Sequence, residues 1–189
     1  MAPKLDYSPE ELVTELERQS SQAQLLTNAL GDAVLNWQPN GGKSWSVLQC
    51  LDHLLLMNRK YLKAMQDAVA NNRDQLEPRK APIRPSGWFM RWYISTEEPP
   101  PKFKLPAPKK IQPPSSLTGE VVQDFCSVQK QLANFVREWG EANLGDLKVK
   151  DPIVPLHLTA DTHLVLIALH NRRHLWQAQN VKKAVGFPG

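Results

Sequence analysis

The chain has 189 residues, of which 41% are hydrophobic and 22% charged, and it carries a formal net charge of +4. That length and composition describe one domain with enough chain to bury a core, and they exclude wholesale disorder. No apolar run approaches the ~18–20 residues needed to span a bilayer, so no membrane partner is expected.

Four long helical patterns follow in chain order. The first opens at Ser8-Pro9-Glu10-Glu11, where Ser8 can cap, Pro9 suits the first turn and Glu11 completes a capping box. Leu12, Leu16, Ala23, Leu26 and Leu30 recur at helical spacing, and Gly31 supplies a stop. After the turn Pro39-Asn40-Gly41-Gly42, a second helix starts near Ser44 or Ser46 and runs to about Asn71. The third starts near Ser116 or Thr118, with the seam Val121, Phe125, Val128, Leu132, Phe135 and Trp139, and ends at Gly140. The fourth starts near Thr159 and continues to the stop Gly186-Phe187-Pro188.

With no convincing strand alternation and no internal repeat, the expectation is an all-α, four-helix bundle forming a single domain over 1–189. Its exception is the connection between helices two and three, Pro78 to Pro114, which holds ten of the sixteen prolines and cannot be continuous helix. Within it GWFMRWYI, from Gly87 to Ile94, can form a short aromatic helix. So long a connection reads as a lid or a homodimer contact, with a merely packed loop as the alternative.

On a helical wheel for the fourth helix, His163, His170 and His174 share the face of Leu164, Ile167, Leu175, Ala178 and Val181. Arg172, Gln179 and Lys183 fall roughly opposite. Burying an imidazole without a partner costs about 1–3 kcal/mol or more, so the inward histidines need an explanation. Residues at i and i+4 lie about 5–6 Å apart, close enough for two rings to meet one ion at ~2.0–2.1 Å. His53, in LDHLL of the second helix, offers a third imidazole, and Asp52 or another nearby carboxylate could orient a ring. The residues alone leave two readings open: a facial metal site, or buried structural histidines.

Other polar candidates carry plainer expectations. His163 suits a capping or supporting role and His157 a loop. Cys50 reads as a small buried hydrophobe rather than a ligand. Gln49 and Gln177 can face the pocket or simply pack, and Trp37, Trp45 and Trp176 belong to core or rim. The cysteines, Cys50 and Cys126, sit in no CxxC, and MAPKLDYSPEEL lacks the apolar core of a secretory signal. Both features point to a reducing, cytoplasmic setting.

Two segments resemble a known family. GGKSWSVLQCLDHLLLMN (Gly41–Asn58) is similar to the segment of DinB-like proteins, including the YfiT-like ones, in which a tryptophan-serine start leads into a histidine-bearing helix. ALHNRRHLWQAQ (Ala168–Gln179) resembles their terminal helix, and the long connection between helices two and three is also similar. The resemblance implies that His53, His170 and His174 bind a divalent metal ion, Zn or Ni foremost. It further implies either thiol S-transfer with a low-molecular-weight thiol such as bacillithiol, mycothiol or glutathione, or hydrolysis through activated water.

The expectation is therefore a metal-dependent enzyme acting on a small-molecule substrate, with thiol transfer slightly favoured. The alternative is a non-catalytic stress or detoxification protein that binds a small ligand and holds a structural metal. Nucleic acid is an unlikely partner: the basic residues are scattered or lie in the proline-rich loop, and no recognition motif accompanies them. No serine triad, Walker loop or glycine-rich dinucleotide fingerprint offers a rival mechanism.

Overall fold

Three of the four long helices begin where a side chain takes a backbone donor that the first turn leaves free. The computed structural model describes residues 3–101, 103 and 106–189. Helix α1, Pro9–Thr27, opens on the expected capping box: the Glu11 amide donates to Ser8 Oγ at 3.2 Å, and the Ser8 amide donates to Glu11 Oε2 at 2.8 Å. It stops before the expected Leu30–Gly31, because Ala29 turns left-handed at φ 60° and Gly31 caps a short helix α2, Asp32–Leu35, instead. A one-turn element α3, Pro39–Gly42, contains Asn40 at φ 57° and Gly41 at φ 62°, so this stretch is the tight turn its sequence suggested.

Helix α4, Val47–Asn72, carries its own capping box between Ser46 and Gln49. The short aromatic helix appears as α5, Gly87–Ser95, with Trp88, Phe89 and Trp92 exposed on it. Helix α6, Glu120–Trp139, and helix α7, Ala160–Lys182, complete the long set, and Thr159 Oγ1 accepts from the Thr162 amide at the start of α7.

The structure is mostly helical but not wholly so. Strands β1, Lys148–Lys150, and β2, His157–Thr159, pair antiparallel with Val149 opposite Leu158. The expectation of no strand is corrected here, and His157 lies exposed on β2 rather than in a loop. Three residues are too few for alternation to register in sequence, although buried Val149 between exposed Lys148 and Lys150 obeys it.

Named contacts fix the directions of the four long helices. Gly140 lies against Pro9 and Cys126 against the Ser20 carbonyl, so α6 runs antiparallel to α1. Tyr61 meets His163 and His53 meets His174, so α7 runs antiparallel to α4. Arg59 pairs with Asp124 and Arg73 lies over the Trp139 ring, so α4 and α6 are parallel. Two parallel neighbours cannot be joined by a short turn. The proline-rich stretch is that crossover, returning along a 26-residue helix about 39 Å long.

Apolar faces of the four helices meet in two adjoining clusters. One is built around Leu12, Leu16, Met65, Leu132, Val136 and Leu164, the other around Leu48, Leu51, Leu54, Phe125 and Leu175. Among the described residues, no helix is long and apolar enough to cross a membrane.

Candidate metal centre

The Ser46 cap sets where α4 begins and therefore which face His53 occupies seven residues later. His170 and His174 sit one turn apart on α7, which faces α4. All three rings meet: centroids are 5.3 Å apart for His53–His170 and 4.6 Å for both other pairs. One ring nitrogen from each lies within 4.8 Å of the other two, a grouping able to hold a metal ion. His53 and His174 are buried, and His170 keeps part of its side chain in contact with solvent.

The outer nitrogen of every ring has an acceptor. His53 Nδ1 donates to the Ile111 carbonyl at 2.7 Å, His170 Nδ1 to Glu97 Oε2 at 3.0 Å, and His174 Nδ1 to Gln177 Oε1 at 2.9 Å. A carbonyl or carboxylate oxygen has no hydrogen to offer, so each Nδ1 carries a proton, and in the neutral ring Nε2 is the atom with the lone pair. His53 Nε2 and His170 Nε2 face one another, 3.0 Å apart. Two acceptors hold that distance only with something electropositive between or beside them.

A shared proton does not meet that need for all three rings. Burial, reinforced by His170 and Arg173, pushes the His53 pKa down to about 4. Burial, His170 and His53 push His174 well below the ordinary histidine value. Three imidazoles that each bring a ring nitrogen to one small volume are the donor set of a divalent transition metal. At ~2.0–2.1 Å per bond, tetrahedral or octahedral ligands stand roughly 2.9–3.4 Å apart, and 3.0 Å lies in that range. The residues present therefore fit the ion.

Trp45 walls the site, its ring 4.8 Å from that of His53 and 5.7 Å from that of His174. Trp37 instead packs edge-on against Phe187, and Trp176 lies at the surface.

The carboxylate beside the site is Glu97, not Asp52. Asp52 makes no bond to the rings; its Oδ2 is buried without a partner, and burial raises its pKa. Glu97 Oε2 accepts from both His170 Nδ1 and Arg173 Nη1, each at 3.0 Å. Burial opposes its ionisation, yet the His170 bond and the Arg173 charge hold its pKa below the ordinary value. Neighbouring Glu98 accepts from Arg172 Nη1 at 2.9 Å. Arg172, expected to face away from the core, is half-buried, and also donates to Glu15 at 2.7 Å and to the Tyr7 hydroxyl at 2.9 Å. Helix α7 is covered on more than one side, by α4, α1 and the crossover, so its polar face is partly enclosed.

Sequence reasoning missed Glu97 and the Ile111 carbonyl. One signal existed: Glu97 and Glu98 are the only carboxylates between Pro78 and Pro114, a stretch with eight basic residues. His163 takes a supporting role away from the triad, with Nδ1 on the Thr159 carbonyl at 3.1 Å and Nε2 on Asp151 Oδ2 at 3.3 Å. Cys50 is fully buried, its thiol pKa pushed up by burial, and it stands outside the histidine group. Gln49 serves the α4 cap and donates to the Pro114 carbonyl, whereas Gln177 does reach the site.

Facing helices that present a convergent three-histidine group define a class of helical proteins with a potential metal site. Within it the chain belongs to the DinB superfamily, whose family model matches residues 15–178 and so takes in all three histidines. Comparisons with curated proteins and with solved structures find no match.

Proposed function

We propose that this chain is a metal-dependent enzyme of DinB type: a four-helix bundle that holds Zn or Ni on His53, His170 and His174 and works on a small-molecule substrate in the cytoplasm. The observation that carries the reading is the set of three Nδ1 atoms on acceptors, with one ring nitrogen from each histidine within 4.8 Å of the other two. When bound, a divalent ion supplies a Lewis acid that lowers the pKa of a thiol or of water presented to it.

The chain's own residues prepare that point. Ile111, Glu97 and Gln177 fix the tautomer and tilt of each ring, so the donors need no reorganisation when the ion enters. Trp45 closes one side with an apolar ring, and the burial of His53 and His174 keeps bulk water from their nitrogens. The exposed part of His170 marks the side from which a substrate can approach. Thiol transfer is the favoured chemistry and hydrolysis the other, both drawn from the family resemblance.

The depth of His53 and His174 supports a second reading, a non-catalytic small-ligand-binding protein with a structural metal. Cobalt-substituted, tag-free protein separates the two. The enzyme reading predicts that bacillithiol, mycothiol or glutathione, or failing these azide, shifts the visible cobalt bands. A spectrum unmoved by every thiol and by azide overturns the enzyme reading and leaves the structural one.

A further inference from the structure

We infer that Glu97 is the positioning residue of the metal site, the carboxylate that sets how strongly His170 donates to the ion. The inference rests on the metal reading above and adds to it a residue from outside the two helices that carry the triad.

The geometry separates Glu97 from an ordinary surface anchor. Its side chain is only 5% exposed, and a carboxylate that deep is held there by specific partners. One oxygen, Oε2, serves both cations or donors around it, His170 Nδ1 and Arg173 Nη1. An ionised carboxylate on the Nδ1–H of an imidazole pulls that proton and pushes electron density toward Nε2, the atom that faces His53 and His174. A neutral acceptor there fixes the same tautomer but donates less strongly.

Glu97 also resolves an electrostatic conflict. Arg173 is nearly as enclosed, at 13% exposure, and lies within the three-residue interval between His170 and His174. A guanidinium so near a divalent ion opposes its binding. The Glu97 charge offsets it. The remaining rings show the contrast: His53 and His174 rest on a backbone carbonyl and an amide oxygen, so His170 is the one ligand with an anion behind it.

The next residue supplies an internal control. Glu98 pairs with Arg172 at 2.9 Å and ties the same crossover to the same turn of α7, yet among the described residues neither member hydrogen-bonds a ring of the triad. A role in anchoring alone predicts equal effects for Glu97 and Glu98. A role in positioning predicts an effect for Glu97 only.

The test measures zinc affinity by competition with a chromophoric chelator, for the tag-free wild type, E97Q, E97A, E98Q and H170A, with the thermal midpoint of each metal-free protein recorded alongside. The expected result is affinity about 10-fold weaker for E97Q, approaching 100-fold for E97A, and unchanged for E98Q, with E97Q and E98Q unfolding at similar temperatures. E97Q keeps an acceptor for His170 Nδ1 and so guards against mere collapse of the site. Equal affinities for wild type and E97Q, or equal losses for E97Q and E98Q, overturn the inference while the metal reading stands. A wild type that binds no zinc, like H170A, defeats the metal reading itself and this inference with it.

Discussion

His53 is neutral in the folded protein because burial, His170 and Arg173 all oppose a proton on it. The unfolded chain has no such opposition and titrates near 6.5. Between about pH 6.5 and 4 the unfolded state therefore binds the extra proton, and the metal-free fold loses stability as pH falls through that window. A shift from 6.5 to about 4 is worth about 3 kcal/mol for this group once pH is below both values. His174, pushed down for the same reasons, adds a loss of the same sign. Urea unfolding of the metal-free protein should show its midpoint falling steadily from pH 7 to pH 4.5, with a shallower fall for His53→Gln. A midpoint that holds constant across that range contradicts a buried, neutral triad. Metal affinity of the folded protein falls as pH drops toward about 4, where His53 itself takes a proton and loses its lone pair. At this scale the sequence was informative about residue type and spacing: the i and i+4 pair and His53 were all visible. It was silent about the acceptors behind the rings, since Ile111 acts through its backbone and Glu97 lies 73 residues from its partner.

Among the elements, α4 depends most on its first turn, because a shift of its start would rotate His53 away from α7. Ser46 is fully buried; its Oγ accepts from the Gln49 amide at 3.1 Å, and its own amide donates to Gln49 Oε1 at 3.0 Å. Ser46→Ala should cost about 1 kcal/mol and lower the thermal midpoint by roughly 2–4 °C. An unchanged midpoint would show that the cap contributes nothing there. The helices themselves were legible because their caps and apolar spacing are local. Gly140 shows where a correct boundary had a different cause. It ends α6 with ordinary right-handed backbone at φ −61°, not the left-handed turn that usually selects glycine. A Cβ there would stand 2.4 Å from the Val136 carbonyl oxygen and 2.8 Å from Pro9 Cβ, so close approach of α1 explains the glycine. The β1–β2 pair stayed hidden because three-residue strands carry too few side chains to show a period.

Across the whole molecule, the crossover joins fold to site. Its length was plain in the sequence, and parallel α4 and α6 explain why it must be long. What it does was not plain, because its grips are ion pairs between distant segments. Arg79 meets Asp161 with both terminal guanidinium nitrogens, Nη1 and Nη2, at 2.9 and 2.8 Å and almost fully buried, and so pins the start of the crossover to the first turn of α7. Glu97 and Glu98 pin it again at Arg173 and Arg172, beside the triad. The connection read as a lid or a dimer contact, with a packed loop as the alternative, forms in its described residues a wall of the site that supplies two of the three groups behind the rings. The measurement that tests the metal site most directly is metal content by mass spectrometry on tag-free protein, beside His170→Ala. The account predicts near one equivalent of a divalent metal in the native protein and its loss in the variant. Native protein that carries no metal and takes up neither added zinc nor added nickel would contradict it, and the three histidines would then be structural.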